Sequence, residues 1–149
     1  MEIEKEIYNR KFENSHQKVV VNLLYTYGWI TNLLRLSLNN HSITLQQYNV
    51  LRILRGQYPN PATINILKER MLDKMSDASR IVERLVQKDL VKRCVNNKDR
   101  RAVDILISQK GLDILQKLDN EISIKDMLSH NLSEEEATEL SGLLDKMRG

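Results

Sequence analysis

A basic turn that leads into an alternating apolar strand is the feature that most constrains this chain. Residues 97–101, Asn-Lys-Asp-Arg-Arg, combine turn-forming side chains with adjacent cations. In residues 102–108 apolar side chains recur with a period of two, which is typical of a half-buried strand. Residues 91–95 form a second β-prone run. The pattern predicts a β-hairpin with basic residues at its tip.

A helix is predicted just upstream of this hairpin, over residues 76–89. Its apolar residues follow the spacing i, i+3, i+4, i+7, i+8 and form one stripe toward a core: Ala78, Ile81, Val82, Leu85 and Val86. The face roughly opposite carries Ser76, Arg80, Glu83 and Gln87. Hydroxyl, guanidinium and amide groups contact DNA phosphates and base edges, although an ordinary solvated helix face has the same composition.

Further helices are predicted on both sides. The apolar run from Val19 to Leu38 covers more than one helical face, so we expect it to pack on a second subunit as well as on its own chain. Residues 1–17 are polar and are expected to be frayed or only partly ordered. Helix starts are predicted at capping residues: Thr44 with Gln47, Thr63, Ser76, and Ser133 with Glu136.

Charge is distributed unevenly along the 149 residues, a length that suits one domain. Residues 44–110 contain 14 Lys and Arg against 7 Asp and Glu, whereas the two flanks together contain 9 and 13. A basic middle between acidic ends suggests a polyanionic partner for the middle alone. The alternative is a solvated surface of mixed charge.

Several classes of protein are not supported by the sequence. A single cysteine, Cys94, cannot form an internal disulfide, and we expect it to be a small packing residue rather than a redox sensor. His16, His41 and His130 share no metal-ligand spacing, so no metal is expected. No catalytic grouping or phosphate loop is present, which argues against an enzyme or a cofactor. Without an apolar run of about 20 residues or a signal sequence, no membrane partner is expected and the expected location is the cytoplasm.

The order of three helices and a hairpin between long helices resembles the MarR family of bacterial winged-helix regulators. The motifs that carry the resemblance are Ser79 to Leu85, Lys88 to Arg93 and Asp99 to Ala102. It covers roughly residues 43–118 in motif and the whole chain in element order. One departure is Asp89, because the family usually has glycine there. Asp tolerates a left-handed backbone better than most residues, so the fold is not put in doubt.

The resemblance implies a mainly α fold with a small β-hairpin wing, a winged helix-turn-helix with long flanking dimerisation helices. Residues 1–149 then form a single domain, with a DNA-binding lobe at 44–110 and a helical dimerisation region at 1–43 and 111–149. The expected function is transcriptional regulation, most simply as a homodimeric repressor that binds a pseudo-palindromic operator in double-stranded DNA. The alternative is a winged-helix protein-interaction module without specific DNA binding.

The candidate DNA contacts fall in two groups, one on the helix over 76–89 and the turn before it, and one on the wing. The first group is Lys74, Ser76, Ser79, Arg80 and Arg84, and the second is Lys98, Asp99, Arg100 and Arg101. We expect Arg80 to read bases, Ser76 and Ser79 to meet phosphates or base edges, and Lys74, Lys98 and Arg100 to meet phosphates. For Arg84, a phosphate contact and a structural salt bridge both stay open.

Two aspartates need a separate explanation on such a surface. Asp99 matches the family's wing motif, in which the aspartate orients an arginine, here Arg101, toward the minor groove. Its alternative role is to favour the turn. Asp77 is expected to stabilise a helix N-terminus rather than to accept from cytosine.

The resemblance also implies a small aromatic or lipophilic effector as a further partner. In the family, such molecules bind between the dimer helices and the DNA-binding lobes. The residues that suit a cleft of this kind are Tyr25, Tyr27, Trp29, Tyr48 and Met71, with ordinary core packing as the alternative for each. No effector-binding residue is assigned.

Overall fold

The computed structural model of the chain describes residues 1–8 and 11–149. Within them the helices are α1 (Ile3–Glu6), α2 (Ser15–Asn40), α3 (Leu45–Gln57), α4 (Ile64–Arg70), α5 (Ala78–Gln87), α6 (Gln109–Glu121), α7 (Ile124–Ser129) and α8 (Glu134–Arg148), and the strands are β1 (Ala62–Thr63), β2 (Val91–Val95) and β3 (Val103–Ile107). The predicted fold class, mainly α with a small β wing, is confirmed.

Side-chain caps define where several helices begin. Most of these helices belong to the central lobe, the name used here for α3 to α6 together with the three strands. The Thr44 hydroxyl accepts from the Gln47 amide at 3.1 Å, and Gln47 Oε1 accepts from the Thr44 amide at 3.2 Å, which completes the predicted capping box of α3. Thr63 caps α4 by accepting from the Ile66 amide at 3.3 Å. Ser133 and Glu136 form a second capping box at α8.

The predicted cap of α5 is wrong by one residue. Asp77, not Ser76, is the N-cap, and its Oδ1 accepts from the Arg80 amide at 3.1 Å. Asp77 is an equally good capping residue and begins the helix, whereas Ser76 stays in the preceding turn, where its hydroxyl donates to Asp73 Oδ2 at 2.7 Å. Asp77 therefore has the helix-terminus role expected for it.

The strands form one antiparallel sheet in the order β1-β3-β2. Val91 pairs with Ile107 and Val95 with Val103, which is the predicted hairpin. The third strand was not predicted: Ala62 pairs with Ile105 through only a two-residue strand. We use the name wing for β2, β3 and the turn between them. Its far end extends beyond the core, because only Val91 of β2 is buried.

The core lies in the central lobe, where α3 packs against α5, α6 and the sheet. Its largest fully buried side chains include Leu51, Leu54, Leu67, Val82, Leu85, Ile105, Leu115 and Leu118. Each such side chain stabilises the fold by about 1.5–3 kcal/mol relative to an exposed one. The core therefore holds α5 and the wing in one fixed arrangement.

The N-terminal segment is more ordered than the sequence suggests. Ile3 is buried, the Tyr25 hydroxyl donates to Glu6 at 2.7 Å, and the Lys18 ammonium donates to Glu4. Asn14 caps α2 by accepting from the Gln17 amide at 2.9 Å. The expectation of fraying is wrong for α1 and for the start of α2. At residues 9 and 10 it lies outside the described part of the chain.

The outer helices leave apolar side chains uncovered. No side chain of α8 is fully buried, and Leu140, Leu143 and Met147 are exposed along it. The long helix α2 exposes a further set: Val19, Val20, Leu24, Tyr25, Tyr27, Trp29 and Leu36. No described helix is long and apolar enough to cross a membrane.

Candidate nucleic-acid interface

The first part of the site is the outer face of α5. Ala78, Val82 and Leu85 are buried, and this fixes which way the helix faces. Ser79, Arg80 and Arg84 consequently lie on the exposed side. The salt bridge left open for Arg84 is not formed within residues 1–8 and 11–149. The structure thus brings three of the predicted contact residues onto one solvent-facing surface.

The turn before α5, residues 71–77, is organised around Asp73. Its Oδ1 accepts from the Met75 amide at 3.0 Å and its Oδ2 from the Ser76 hydroxyl at 2.7 Å. These bonds, with the one from Ser76 first, hold the pKa of the Asp73 carboxyl below its usual value. The Lys74 ammonium donates to the Glu69 carbonyl. The candidates Lys74 and Ser76 are therefore both tied into this turn.

The wing tip is built by Asn96. Its Oδ1 accepts from the amides of Lys98 at 2.8 Å and Asp99 at 3.0 Å, and its Nδ2 donates to Asp104 Oδ1 at 2.9 Å. Turn-forming side chains were expected here, but the contact between Asn96 and Asp104 was not, because nothing in the spacing shows that the two side chains meet across the hairpin. The signal was available in part, since asparagine commonly bonds to the backbone of a turn.

Asp99 acts on the backbone of the same turn. Its Oδ1 accepts from the Arg101 amide at 2.9 Å, which is the turn-stabilising role that the sequence left open. Among the described residues, the Asp99 carboxylate forms neither a hydrogen bond nor an ion pair with the Arg101 guanidinium. The orienting role of Asp99 stays a prediction.

Two sets of cations in the lobe differ in their partners. Lys88 donates to the Ser42 carbonyl and to Gln47, and Lys110 donates to the Lys88 carbonyl at 2.8 Å. By contrast, the exposed cations of the wing and α5 have no ion pair in the described part of the chain: Arg80, Arg84, Lys92, Arg93, Lys98, Arg100 and Arg101. Cations that no carboxylate neutralises create the positive surface that a polyanion requires.

The end of α5 positions the wing relative to this helix. Asp89 has a left-handed backbone with φ of 59°. The Leu90 amide donates to the Leu85 carbonyl at 3.0 Å, and the Asp89 amide donates to the Val86 carbonyl at 2.9 Å. This is a Schellman termination, which satisfies the last carbonyls of the helix. The chain consequently turns directly from α5 into β2.

A cavity of 630 Å³ lies between α2 and the central lobe. Of the five residues considered for an effector, Tyr27, Tyr48 and Met71 line it, whereas Tyr25 and Trp29 line a smaller cavity beside α1. The Arg52 guanidinium lies 5.6 Å from the centre of the Tyr48 ring. Leu72, Asp73 and Lys74 also line the cavity, so its wall includes the turn before α5.

The structure corrects the role expected for Cys94. The residue is exposed on the edge strand β2 and is not a packing residue, because the outer part of that strand lies beyond the core. His41 Nε2 contacts Glu121 Oε1 at 2.8 Å. Among the described residues, no three His, Cys, Asp or Glu side chains gather in a group that could hold a metal.

Comparisons with known proteins connect this geometry to a family. Residues 43–103 match the sequence model of the MarR family, which confirms the resemblance. No curated protein sequence matches the chain. Solved structures do match over most of their length. A mutant MarR from E. coli complexed with operator DNA is 25% identical with a TM-score of 0.73, and the match covers 91% of this chain and 99% of that one.

Two further structures share the fold at lower identity. MepR from S. aureus in its DNA-binding conformation is 21% identical with a TM-score of 0.72, covering 87% of this chain and 95% of that one. An organohalide-sensing transcriptional regulator in a 2,4-dichlorophenol-bound form is 21% identical with a TM-score of 0.75, covering 93% and 86%.

Proposed function

The chain carries a MarR family domain over residues 43–103, and from this premise we propose that it is a homodimeric transcriptional repressor of a pseudo-palindromic operator. The observation that carries the proposal is the exposed face of α5 beside a wing whose arginines have no ion pair among the described residues. A regulator of this kind acts in the cytoplasm, on the DNA of its own cell.

In this proposal α5 is the recognition helix and lies in the major groove. Arg80 reads a base edge, and the most specific pairing for a guanidinium is the bidentate contact with guanine. Ser79 and Arg84 contact phosphates beside it. The wing follows the backbone, where Arg101 enters the minor groove while Lys98 and Arg100 bind phosphates. Lys74 and Ser76 meet the backbone at the start of the helix.

A second copy of the chain completes the molecule. The uncovered apolar side chains of α2 and α8 suit a subunit interface, because a monomer rarely leaves so many large apolar residues exposed. Twofold symmetry then presents two recognition helices to two half-sites, which is why the operator is expected to be pseudo-palindromic.

An effector is proposed for the cavity between α2 and the lobe. Its wall is mainly apolar and aromatic with a few polar groups, which suits a small aromatic or lipophilic molecule. Because the wall joins α2 to the turn before α5, a bound molecule would change the separation of the recognition helices. Only a conformation that matches the spacing of the half-sites binds DNA, so occupancy releases the operator.

The test is fluorescence anisotropy with DNA that flanks the protein's own gene, against an unrelated fragment of the same length, at two salt concentrations. We expect tight, fragment-selective binding by one dimer per site. Equal binding to both fragments with a steep salt dependence would mean that only phosphates are contacted. Absence of DNA binding, together with a co-purifying protein partner, would support the interaction-module alternative.

A further inference from the structure

The turn before α5 exposes apolar side chains on an otherwise polar and basic surface. Met75 is 93% exposed and Leu72 is 87% exposed. Leu72 has a neighbouring cavity that explains it, since it lines the space between α2 and the lobe. Met75 does not line that cavity and does not belong to α2 or α8, whose apolar faces suit the dimer interface. Its exposure is not explained by the subunit interface or the effector site.

The position of Met75 is fixed by its neighbours rather than left loose. Its amide donates to Asp73 Oδ1 at 3.0 Å, and the Leu72 amide donates to Asn49 Oδ1 at 3.0 Å. The next residues are Ser76 and the helix cap Asp77. Because the backbone is held on both sides, Met75 has a defined place beside the first turn of α5. Binding of Met75 to a partner would therefore cost mainly the conformational entropy of the Met75 side chain.

Lys74 and Ser76, the two neighbours of Met75, are both proposed DNA contacts. DNA offers an apolar partner at one place in the major groove, which is the C5-methyl group of thymine. Methionine suits such a contact, because its unbranched, polarisable side chain adapts to an irregular surface. We propose that Met75 is a specificity-determining residue that contacts the methyl group of a thymine in each half-site.

This inference rests on the proposed function. DNA is the partner of Met75 because Met75 adjoins the proposed DNA-reading surface of α5. Met75 lies in this turn, two residues before the cap of α5, so a DNA that is contacted by Arg80 passes within reach of it. The carboxylates of the turn, Asp73 and Asp77, accept from backbone amides, and the exposed cations Arg80 and Arg84 of the adjoining helix favour a polyanion over an apolar protein segment. The contact adds selectivity for thymine, whereas the phosphate contacts are indifferent to sequence.

The test replaces thymines of the operator by uracil, one position at a time, which removes only the methyl group. Affinity is measured by fluorescence anisotropy for the unaltered protein, for Met75→Ala and for the control Tyr58→Ala, which removes another exposed large side chain, at the end of α3. We expect one thymine per half-site at which uracil weakens the unaltered protein about fourfold, and about fifteenfold when both half-sites are changed. The Met75→Ala variant lacks the side chain in both half-sites, so it should bind thymine DNA more weakly by the factor expected for two changed half-sites. Replacing those thymines by uracil should not change its affinity further.

The Tyr58→Ala control should keep the full dependence on that thymine, because Tyr58 belongs to none of the proposed DNA-binding, effector-binding or dimer surfaces. The inference is overturned if the unaltered protein binds its operator selectively and every uracil affects it and Met75→Ala equally. If the unaltered protein selects no DNA at all, the proposed function fails first and the inference fails with it. The two failures are distinguishable because failure of the proposed function is measured with the unaltered protein alone, without any variant.

Discussion

At the scale of the residue, the basic side chains of the central lobe serve two different purposes. Lys88, at the end of α5, donates to the Ser42 carbonyl, and Lys110 donates to the Lys88 carbonyl, so they hold the helix and its neighbours together. Arg80 and Arg101 are exposed and make no ion pair within the described residues. We therefore expect loss of the first pair to lower stability, and loss of the second pair to lower DNA affinity.

Arg101→Ala tests the wing directly. We expect DNA affinity to fall about tenfold to a hundredfold, because a guanidinium in the minor groove is lost without any change in the fold. Anisotropy titration at a fixed salt concentration measures the effect, and size-exclusion chromatography checks that the dimer persists. Lys117→Ala, an equal charge change on α6, is the matched control and should bind almost normally. Unchanged affinity for Arg101→Ala would contradict the wing assignment.

Asp89→Gly tests the strain at the end of α5. Asp89 has φ of 59°, a region that disfavours residues with a Cβ atom, so glycine should raise stability by about 0.5–1 kcal/mol. Chemical denaturation at one protein concentration measures it. The same substitution at Asp113, inside α6, should lower stability instead. A loss of stability in Asp89→Gly would mean that the aspartate side chain has a structural role.

At the scale of the element, close packing fixes where α6 meets the sheet. Gly111 is buried in the first turn of α6, which follows β3 after a single capping residue, Ser108. A Cβ atom at Gly111 would lie 2.3 Å from the Leu90 carbonyl oxygen and 2.7 Å from Ile107 Cγ1. A backbone carbonyl cannot yield easily, so this glycine is required by its surroundings.

Gly111→Ala should therefore destabilise the protein by about 1–3 kcal/mol, because the added carbon overpacks α6 against the Leu90 carbonyl and Ile107 of β3. Gly142→Ala is the matched control, since a Cβ there meets nothing within 4 Å and alanine favours a helix. Thermal unfolding of both variants at equal concentration distinguishes them. Equal effects of the two substitutions would show that the close contacts at Gly111 do not prevent a larger side chain from being accommodated there.

Elements with a strong periodic or capping signal could be predicted, and elements defined by distant contacts could not. The stripe of α5 and the capping box at Thr44 and Gln47 follow from local spacing, and both are found. Strand β1 has two residues, too few for any period, and exists because Ala62 meets Ile105. The cap of α5 was misplaced because Ser76 and Asp77 are adjacent and both suit an N-cap, so local sequence does not decide between them.

At the scale of the whole molecule, the outer helices are incomplete as they stand in one chain. The apolar residues of α8 are exposed, among them Leu140, Leu143 and Met147, and α2 adds its own exposed set. Burial of such side chains against a second copy would stabilise the dimer by about 25 cal/mol for each Å² removed from water, before the cost of association. DNA binding should consequently depend on the dimer.

Leu143→Asp tests that dependence. A carboxylate in the proposed interface would be desolvated without a partner, so we expect a shift toward monomer and a loss of operator affinity of about tenfold or more. Analytical ultracentrifugation measures the first effect and anisotropy the second. Ser141→Asp adds the same charge to the same helix at a polar, exposed position and should leave both unchanged. A dimer that survives Leu143→Asp would place the interface elsewhere.

The most direct test of the central claim is a hydroxyl-radical footprint of the protein on its selected DNA. Two copies of α5 that read two half-sites should protect two blocks with centres about 10 base pairs apart, or a multiple of that spacing, related by an approximate inverted repeat. The same experiment with Arg101→Ala should lose protection where the wing lies. A single protected block, or uniform protection without phase at saturating protein, would contradict a dimer that reads an operator through α5 and the wing.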